Sequence, residues 1–311
     1  MRPPVGRGRT PPCCPSERTY GPDIPAGTSC CRTGPHYDLH RGDAMADTVL
    51  YEVNDGLATI VLNRPEAMNA LNVVAKEALR DAARSAAADS AVRAILLTAA
   101  GERAFCVGQD LKEHEDLLAA DRESGDDRTM STVREHYNPI VRALAGAPKP
   151  VVAAVNGVAA GAGFGFALAA DYRIVADTAS FNTSFAAVAL TADSGISWTL
   201  PRVVGPGRAM DLLMFPRKVR AQEAYELGIA NRVVPGAELR AEAAAVARGL
   251  AEGPTLAYAA LKESVAFGLS HSLSEALEKE DELQTRAGSS EDHAAAVRAF
   301  TAKREPKFMG R

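Results

Sequence analysis

The stretch KPVVAAVNGVAAGAGFGFALAAD, residues 149–171, decides the fold class of this protein. Its first part, Pro150 to Val155, is a short apolar run typical of a buried strand, and a glycine-rich turn follows it. The small residues after the turn predict a short helix, whose free NH groups and positive dipole end favour an oxyanion. The spacing differs from GxxxxGK[ST], which excludes a phosphate-binding P-loop.

Strands and helices alternate on both sides of this stretch. Residues 49–53 and 58–62 predict two strands, and Asp55-Gly56 between them predicts a hairpin turn. The other predicted elements in this part are a helix at 72–88 capped by Asn72, a helix at 132–145, and buried strands at 91–98 and 172–175. This order of elements predicts an α/β fold.

The carboxyl-terminal part of the chain is predicted to be helical. After Val234 the strand patterns stop, and helical patterns follow at 238–252, 254–267, 272–287 and 291–303. The sequence therefore predicts a core of residues 45–236 and a helical region of residues 237–311.

Residues 1–44 differ in composition from the rest of the chain. They hold eight of the 18 prolines, six arginines and no lysine, and they follow neither helical nor strand periodicity. We predict that this segment is a disordered amino-terminal extension. Its cysteine pairs, at 13–14 and 30–31, lack the CxxC spacing of a zinc knuckle, so we predict no metal site.

Charge and composition limit the partners of the protein. The formal net charge is −4 and aromatic residues make up 5% of the chain, which disfavours nucleic acid as a partner. The chain contains no run of about 18 apolar residues, so we expect no membrane span and a cytoplasmic protein.

Histidines supply no metal pattern either. His114, His136, His271 and His293 lack paired metal-ligand spacing, and their polar helical contexts indicate surface positions. His136 and Tyr137 would approach a ligand pocket only if their helix lines it.

A loop before the opening stretch is a candidate for ligand contacts. In GERAFCVGQDL, residues 101–111, Gly108 allows a backbone conformation that turns the NH of Gln109 toward a ligand. Asp110 suits a helix N-cap better than a catalytic role. Cys106 suits a small buried position, because its context is apolar and no histidine is near it in sequence.

Another loop, LNRPEAMNAL at residues 62–71, is on its own equally consistent with a plain connection. Together, in this order, the three stretches resemble the enoyl-CoA hydratase/isomerase (crotonase) family. DSG at 193–195, LPRVVG at 200–205 and FTAKREPKF at 300–308 add to the resemblance, which covers residues 48–311. It implies an α/β crotonase (ClpP/crotonase-like) fold, a spiral of ββα units with a carboxyl-terminal helical region that builds oligomers.

The resemblance also implies a substrate and the residues that bind it. The substrate would be an acyl-CoA thioester, so coenzyme A is part of the substrate and no separate cofactor is expected. The NH groups of Gln109 and Ala162 would form an oxyanion hole for the thioester oxygen. A homotrimer or hexamer is implied, in which Phe300 and Lys303 meet the adenine end of coenzyme A from a neighbouring subunit. The other implied contacts are Arg64, Ala67, Leu71, Val107, Gly108, Asp110 and Leu111.

The proton-transfer residues depart from the pattern of the hydratases that this chain resembles. Those hydratases use two glutamates, at the positions of Gly165 and Phe185 here, and neither of these residues transfers protons. Asp193 instead matches the aspartate of the family's isomerases, and burial beside Phe185 and Trp198 would raise its pKa. These two aromatic residues are also expected to shape the acyl pocket. An N-cap role for Asp193, in a helix at 194–200, is the alternative.

We therefore expect an enzyme that stabilises a thioester enolate and shifts a double bond, with Asp193 as both acid and base. An enoyl-CoA hydratase is the alternative, because the family is commonly named for that activity. A non-catalytic acyl-CoA-binding paralogue is the alternative of another class, because both hydratase glutamates are absent.

Overall fold

The computed structural model describes residues 47–126 and 128–311 of the chain. The extension predicted at residues 1–44, with its two cysteine pairs, lies outside the described residues. Within the described part, no helix is both long enough and apolar enough to cross a lipid bilayer.

Ten strands and eleven α-helices are present in the described residues. The strands are β1 (Val49–Asn54), β2 (Leu57–Leu62), β3 (Ala94–Ala99), β4 (Ala104–Cys106), β5 (Val151–Val155), β6 (Val158–Ala160), β7 (Tyr172–Ala176), β8 (Ser180–Asn182), β9 (Val219–Arg220) and β10 (Arg232–Val234). The helices are α1 (Val73–Ala88), α2 (Leu111–Ser124), α3 (Asn138–Ala145), α4 (Ala162–Ala169), α5 (Ile196–Val204), α6 (Pro206–Met214), α7 (Ala221–Glu226), α8 (Leu239–Ala251), α9 (Thr255–Gly268), α10 (Leu273–Gly288) and α11 (Glu291–Thr301).

The strands form two sheets, and the chain passes from one sheet to the other. The first sheet has the order β1-β2-β3-β5-β7-β10, in which only β1 runs antiparallel to its neighbour. The second sheet has the order β4-β6-β8-β9. From β3 to β8, each strand of the first sheet is followed by one of the second and then by a helix. This arrangement confirms the predicted spiral of ββα units.

The predicted hairpin and the first predicted helix are both confirmed. Asp55 and Gly56 have φ values of 48° and 80°, the left-handed pair of a type I′ turn, whose twist matches that of the flanking strands. The side chain of Asn72 accepts a hydrogen bond of 2.9 Å from the NH of Ala75 and so caps α1. The turn between β1 and β2 and the start of α1 are therefore set by local sequence.

The helix predicted at 132–145 is divided into two parts. Residues 133–137 form one π-helical turn, and α3 begins at Asn138. Because Pro139 has no NH to donate, the regular hydrogen-bond ladder is interrupted at this point. The wide turn places Tyr137 inside the protein, with its ring 6.0 Å from that of Phe166 in an edge-to-face arrangement.

Helix α2 has no counterpart among the predicted elements, because none of its residues is buried and the sequence carries no apolar stripe. Asp110 occupies the predicted N-cap position before it, but its side chain makes no capping hydrogen bond and pairs with Arg64 instead. The helix ends at Gly125, which has a φ of 75° and provides the usual left-handed C-cap.

The four carboxyl-terminal helices lie within two residues of their predicted limits. Helix α8 packs on β3 and β5 through a buried stripe that includes Leu239, Ala243 and Ala247. Helices α9 and α10 pack on each other, and a capping box of Ser272 and Glu275 begins α10.

Candidate active site

A largely apolar cavity of about 640 Å³ opens beside the glycine-rich turn between β6 and α4. Helix α2, the π-helical turn and a short 3₁₀ turn at 185–188 provide its other walls. The apolar side chains of this lining include Leu111, Leu118, Met130, Val133, Val188 and Leu190.

The first predicted donor, the NH of Gln109, lies in a strand-like pairing that leaves it free. The NH of Leu71 donates to the Gly108 carbonyl at 2.8 Å, and the NH of Asp110 donates to the Leu71 carbonyl at 3.1 Å. In such a parallel pairing, the residues flanking Gln109 make both hydrogen bonds, so its own NH points away from the partner strand. Among the described residues, this NH has no main-chain acceptor.

The second predicted donor is the NH of Ala162, the first residue of α4. Gly161 before it has φ 50° and ψ −124°, a conformation suited to glycine, and this sharp turn exposes the first NH groups of the helix. Ala162 itself is helical, so its methyl group adds no backbone strain.

The two donors are brought together by the packing of one turn on the other. Gly108 has a φ of 85°, and a Cβ at this position would stand 3.0 Å from the Ala160 oxygen and 3.3 Å from the Ala162 nitrogen. The chain that carries Gln109 therefore lies directly against the start of α4. Gly108, Gln109, Gly161 and Ala162, which all line the cavity, are called the donor wall below.

An ion pair fixes the loop that carries the donor wall. The guanidinium of Arg64 donates to the Asp110 carboxylate at 3.0 Å and to the Ala70 carbonyl at 2.6 Å. Burial is the largest single effect on Asp110 and acts to raise its pKa, but the Arg64 hydrogen bond and charge, together with nearby main-chain NH groups, outweigh burial, so the pKa lies below its ordinary value. Arg64, predicted to contact coenzyme A, is thus held within the fold at this loop.

Asp193 lies in the cavity wall, immediately before two residues with left-handed backbone, Ser194 and Gly195. Its carboxylate accepts a hydrogen bond of 2.8 Å from the Ser194 hydroxyl. Burial raises the pKa of Asp193 above its ordinary value, although the Ser194 hydrogen bond and the Lys76 charge act in the opposite direction. The N-cap alternative is wrong, because α5 begins at Ile196 with Gly195 as its N-cap and no side chain caps it.

The position of the first hydratase glutamate is physically filled in this protein. A Cβ at Gly165 would stand 2.5 Å from the Ser194 carbonyl oxygen and 2.6 Å from the Ser194 Cβ. The backbone that follows Asp193 therefore occupies the space that a larger side chain at 165 requires. A side chain at position 165 and the present position of the Asp193 segment therefore exclude each other.

The two aromatic residues predicted to shape the acyl pocket lie in different environments. Phe185 is buried and lines the cavity at the start of the 3₁₀ turn. Trp198 does not belong to the lining: its side chain is 50% exposed and stacks against Arg202, whose guanidinium carbon is 4.0 Å from the ring centre. The expectation that Trp198 shapes the pocket and buries Asp193 is therefore wrong, because it lies on the outer face of α5.

The remaining predicted contacts are spread over several locations. Val107 and Leu111 line the cavity, whereas Leu71 is buried in the core and contributes its backbone to the Gln109 loop. Ala67 is half-buried in the 3₁₀ turn before that loop. Phe300, in α11, and Lys303, just after it, are exposed and lie outside the cavity lining.

The sequence placed Tyr137 at the pocket only on the condition that its helix lines it, placed His114 at the surface, and gave Lys76 no role. Tyr137 lines the cavity, and its hydroxyl donates to the side-chain oxygen of Gln109 at 2.5 Å. His114, expected at the surface, lines the cavity as well. Lys76 is 1% exposed, and its ammonium donates to the Thr132 hydroxyl at 3.0 Å. Only the periodicity of α1, which places Lys76 in register with Leu79 and Ala83, could have indicated that it is buried.

Cys106 lies in the small buried position that its sequence context predicted. Cys106 is fully buried, and burial raises the pKa of its thiol to about 12, so it stays protonated and inert. Within the residues that the structure describes, no cluster of three or more histidine, cysteine or acidic side chains could hold a metal ion.

Comparison with known proteins identifies the family. The sequence model of the enoyl-CoA hydratase/isomerase family matches residues 52–311. A protein of Rhodobacter capsulatus named probable enoyl-CoA hydratase is 43% identical, over 85% of this chain and 98% of its own length. The 1,2-epoxyphenylacetyl-CoA isomerase of Escherichia coli is 40% identical, over 86% of this chain and all of its own.

A solved structure gives the same result. The crystal structure of a Mycobacterium abscessus protein described as an enoyl-CoA hydratase/isomerase is 45% identical in sequence and superposes with a TM-score of 0.81. The match covers 85% of this chain and all of the other. The sequence match and the structural match both cover the chain from the first strand onward. This chain belongs to the enoyl-CoA hydratase/isomerase family.

Proposed function

We propose that this protein is an acyl-CoA isomerase that moves a double bond, with Asp193 as the group that carries the proton. The observation that supports this most directly is that Asp193 lines the same cavity as Gln109 and Ala162, the residues that carry the two NH groups. The isomerase name of the Escherichia coli relative also supports it. Other relatives carry hydratase names, so the reaction itself is the point under test.

The donor wall would hold the thioester oxygen in this reaction. Removal of a proton next to a thioester carbonyl places negative charge on its oxygen, and two preorganised NH groups stabilise that charge where water is displaced. Each donor of this kind contributes about 3 to 4 kcal/mol to lowering the barrier. Because both donors are main-chain groups, no particular side chain at Gln109 or Ala162 is needed for this part of the chemistry.

Asp193 would supply both proton transfers. Its carboxylate takes a proton from one carbon of the acyl chain, the electron pair of that C–H bond moves into the conjugated enolate, and the same proton returns to another carbon. The reaction is then balanced without water or a cofactor. A carboxyl group with a raised pKa is well suited to both steps, because it must accept a proton and give it back.

A hydratase would need a second proton-transfer group to activate water. Gly165 and Phe185 occupy the usual positions and have no titratable side chain. Tyr137 is close, but its hydroxyl donates to Gln109, and burial raises the pKa of Tyr137 far above its ordinary value. Hydration is therefore the weaker candidate, and a non-catalytic acyl-CoA-binding role is the third.

Self-association belongs to the proposal as well. Leu261 and Val265 on α9, and Leu269 at its C-cap, are between 53% and 65% exposed and recur at a spacing of four residues. An exposed apolar stripe of this kind is typical of a subunit contact. We propose a trimer or a hexamer in the cytoplasm, which mass measurement in solution and cell fractionation would test.

The decisive experiment compares thioesters in wild type and in Asp193→Asn. Turnover of 3-enoyl-, 2-enoyl- and dienoyl-CoA is measured by following the conjugated thioester and, separately, any hydroxyacyl product. We expect double-bond movement in the wild type and a decrease of about 10²- to 10⁴-fold in Asp193→Asn, because the general acid and base is lost.

The matched control for this experiment is Asp211→Asn, at an exposed acid on α6. It should leave turnover unchanged. Full activity in Asp193→Asn would exclude the proposed proton transfer, and hydroxyacyl product as the main outcome would identify a hydratase. Binding without turnover of any of the three thioesters would support the paralogue.

A further inference from the structure

Lys76 is a charged residue at a position where an apolar one is expected. Its side chain is 1% exposed and belongs, with Leu79 and Ala83, to the buried face of α1. Among residues 47–126 and 128–311, no ion pair includes Lys76. Lysine is almost never fully buried unless it is paired, because removal of its charge from water is costly. The presence of this ammonium group therefore requires an explanation.

The Lys76 ammonium contacts two residues that line the cavity. It donates a hydrogen bond of 3.0 Å to the Thr132 hydroxyl, and it lies 5.6 Å from the centre of the Tyr137 ring, within the range of a cation–π contact. Thr132 and Tyr137 belong to the cavity lining, whereas Lys76 does not. The positive charge is thus separated from a bound ligand by one layer of side chains. It acts on the ligand through its electric field and not by contact.

The neutral groups around the ammonium do not cancel its charge. The Thr132 oxygen accepts from Lys76, so its own hydrogen is free to donate to His136 Nδ1, which lies 3.1 Å away. Burial and the Lys76 charge lower the pKa of both His136 and His114, so these rings are neutral near pH 7. Neither histidine therefore adds a second positive charge to this region.

Three carboxylates act on Lys76 at longer range. Burial lowers the pKa of Lys76, and the charges of Glu113, Asp110 and Asp193 act to raise it, so they favour the ammonium form. Asp110 is paired with Arg64, and Glu113 accepts a hydrogen bond of 2.9 Å from the first NH of α1. Of these three carboxylates, Asp193 alone belongs to the cavity lining. The field of the ammonium thus reaches the group that would carry the proton.

The proposed reaction keeps one negative charge in the cavity throughout. The charge lies on the Asp193 carboxylate before proton abstraction and on the thioester oxygen, at the donor wall, after it. A largely apolar cavity disfavours the charge in both places, because burial removes the water that would solvate it. A fixed positive charge behind the lining offsets part of this cost, since charges interact over longer distances in the protein interior than in water.

We propose that Lys76 is a positioning residue that supplies the countercharge for a negative charge in this cavity. Its buried ammonium keeps Asp193 ionised, stabilises the enolate of a bound thioester, and holds Thr132 and Tyr137 in the lining. The fold gives up stability at this position, because an apolar side chain would fit α1 at a lower cost. The inference rests on the proposed function only in requiring an acyl thioester in the cavity, and it does not require that a double bond moves.

The test titrates the enolate of bound 3-oxobutanoyl-CoA, which absorbs in the near ultraviolet where the keto form does not. The full chain, in excess over the thioester, carries Asp193→Asn, so that the enolate is the one negative charge that forms in the cavity. This protein is compared with the double variant Asp193→Asn/Lys76→Met, in which methionine keeps a long side chain without the charge. We expect the pH midpoint of enolate formation to be about one unit higher in the double variant, because the attraction between the two charges is lost.

Urea unfolding separates a countercharge from a merely structural role. Replacement of a buried charge by an apolar side chain of similar size is often neutral or stabilising, so Lys76→Met should be at least as stable as the wild type. The matched control is Lys218→Met, at an exposed lysine just before β9. In the Asp193→Asn protein, this control substitution should leave the midpoint of enolate formation unchanged.

The possible results separate the two proposals. An unchanged midpoint in the double variant would overturn the countercharge, and so would a Lys76→Met protein that is clearly less stable than the wild type, because Lys76 would then be structural. Neither measurement depends on turnover. A wild type that moves no double bond therefore defeats the isomerase proposal and leaves the countercharge to be decided by the titration. If 3-oxobutanoyl-CoA does not bind to the wild type, the acyl-CoA site itself is wrong, and both proposals fail together.

Discussion

The donor wall of the cavity is made of main-chain groups, whereas the part of the lining around Asp193 depends on side chains. The NH groups of Gln109 and Ala162 are fixed by a strand pairing and by a helix start, which tolerate changes of side chain. Asp193 depends on burial, on the Ser194 hydroxyl and on the absence of a side chain at Gly165. One half of the cavity wall therefore tolerates changes of side chain, whereas the other half depends on particular side chains.

The largest effect is expected from Gly165→Glu, a substitution that places a carboxylate side chain where Ser194 now packs. Because the Cβ alone would stand 2.5 Å from a backbone oxygen, the variant must displace the Asp193 segment. We expect a loss of about 3 kcal/mol or more in the free energy of unfolding, measured in urea. Gly249→Glu is the control, because that glycine is exposed in α8 with nothing within 4 Å of a Cβ.

A Gly165→Glu protein as stable as the wild type would show that the Asp193 segment moves aside without a cost in the free energy of unfolding. In that case the two carboxylate positions are not mutually exclusive, and the same variant should be assayed for hydration of 2-enoyl-CoA.

The contrast also explains what the sequence could and could not predict. Gly108, Gln109 and Ala162 were predictable because a turn and a helix start are local features that depend on only a few neighbouring residues. Helix α2 could not be predicted from periodicity, because it covers the cavity without burying any residue of its own. Trp198 was placed wrongly because an aromatic residue near Asp193 in sequence lies on the outer face of α5.

The polar contacts of the cavity form a second group that sequence alone could not provide. The bond between Tyr137 and Gln109 joins residues 28 positions apart, and that between Lys76 and Thr132 joins residues 56 apart. Such pairs depend on how the π-helical turn packs against α1, which no local pattern encodes. The sequence therefore predicted features within each loop but not the contacts between loops.

The donor wall itself can be broken by Gly108→Ala. The added methyl would meet the Ala160 oxygen at 3.0 Å from a backbone with φ 85°, so the turn must move and the NH of Gln109 with it. We expect kcat to fall by about 10²- to 10³-fold, as for loss of one oxyanion donor. Gly125→Ala is the control, since it has a similar φ of 75° but open space around its Cβ, and it should leave kcat unchanged.

If Gly108→Ala and Gly125→Ala lower stability equally and neither alters kcat, the Gln109 NH takes no part in the reaction. Steady-state kinetics with the best thioester, together with urea unfolding, distinguish these results.

A smaller effect is expected from Lys76→Met, which changes the charge near Asp193. The Lys76 ammonium lowers the pKa of Asp193 against the larger, opposite effect of burial. Proton abstraction needs the carboxylate, so activity rises with pH through the pKa of this group. Removing the ammonium should therefore move the acid limb of the pH profile of kcat to higher pH. An unchanged limb would mean that another group controls it.

The same pKa determines how Asp193 affects stability. Because its folded-state pKa is raised above the unfolded value, ionisation is disfavoured in the native cavity, and its contribution to stability declines as pH rises through that raised pKa. Asp193→Asn cannot ionise. The difference in free energy of unfolding between Asp193→Asn and wild type should thus shift in favour of the variant over this pH range, as urea unfolding at several pH values would show.

The smallest effect is expected from Trp198→Ala, which tests the placement of this residue outside the cavity. Its ring contacts the guanidinium of Arg202 and leaves half of its surface exposed, so the loss in stability should be about 0.5 to 1 kcal/mol. Thioester affinity and kcat should stay within about twofold of the wild type, because the side chain does not line the cavity. Phe185→Ala is the contrasting variant, since it enlarges the lining and should alter chain-length preference. If Trp198→Ala lost as much thioester affinity as Phe185→Ala, this placement would be wrong. Trp198 would then contribute to the substrate site of a neighbouring subunit.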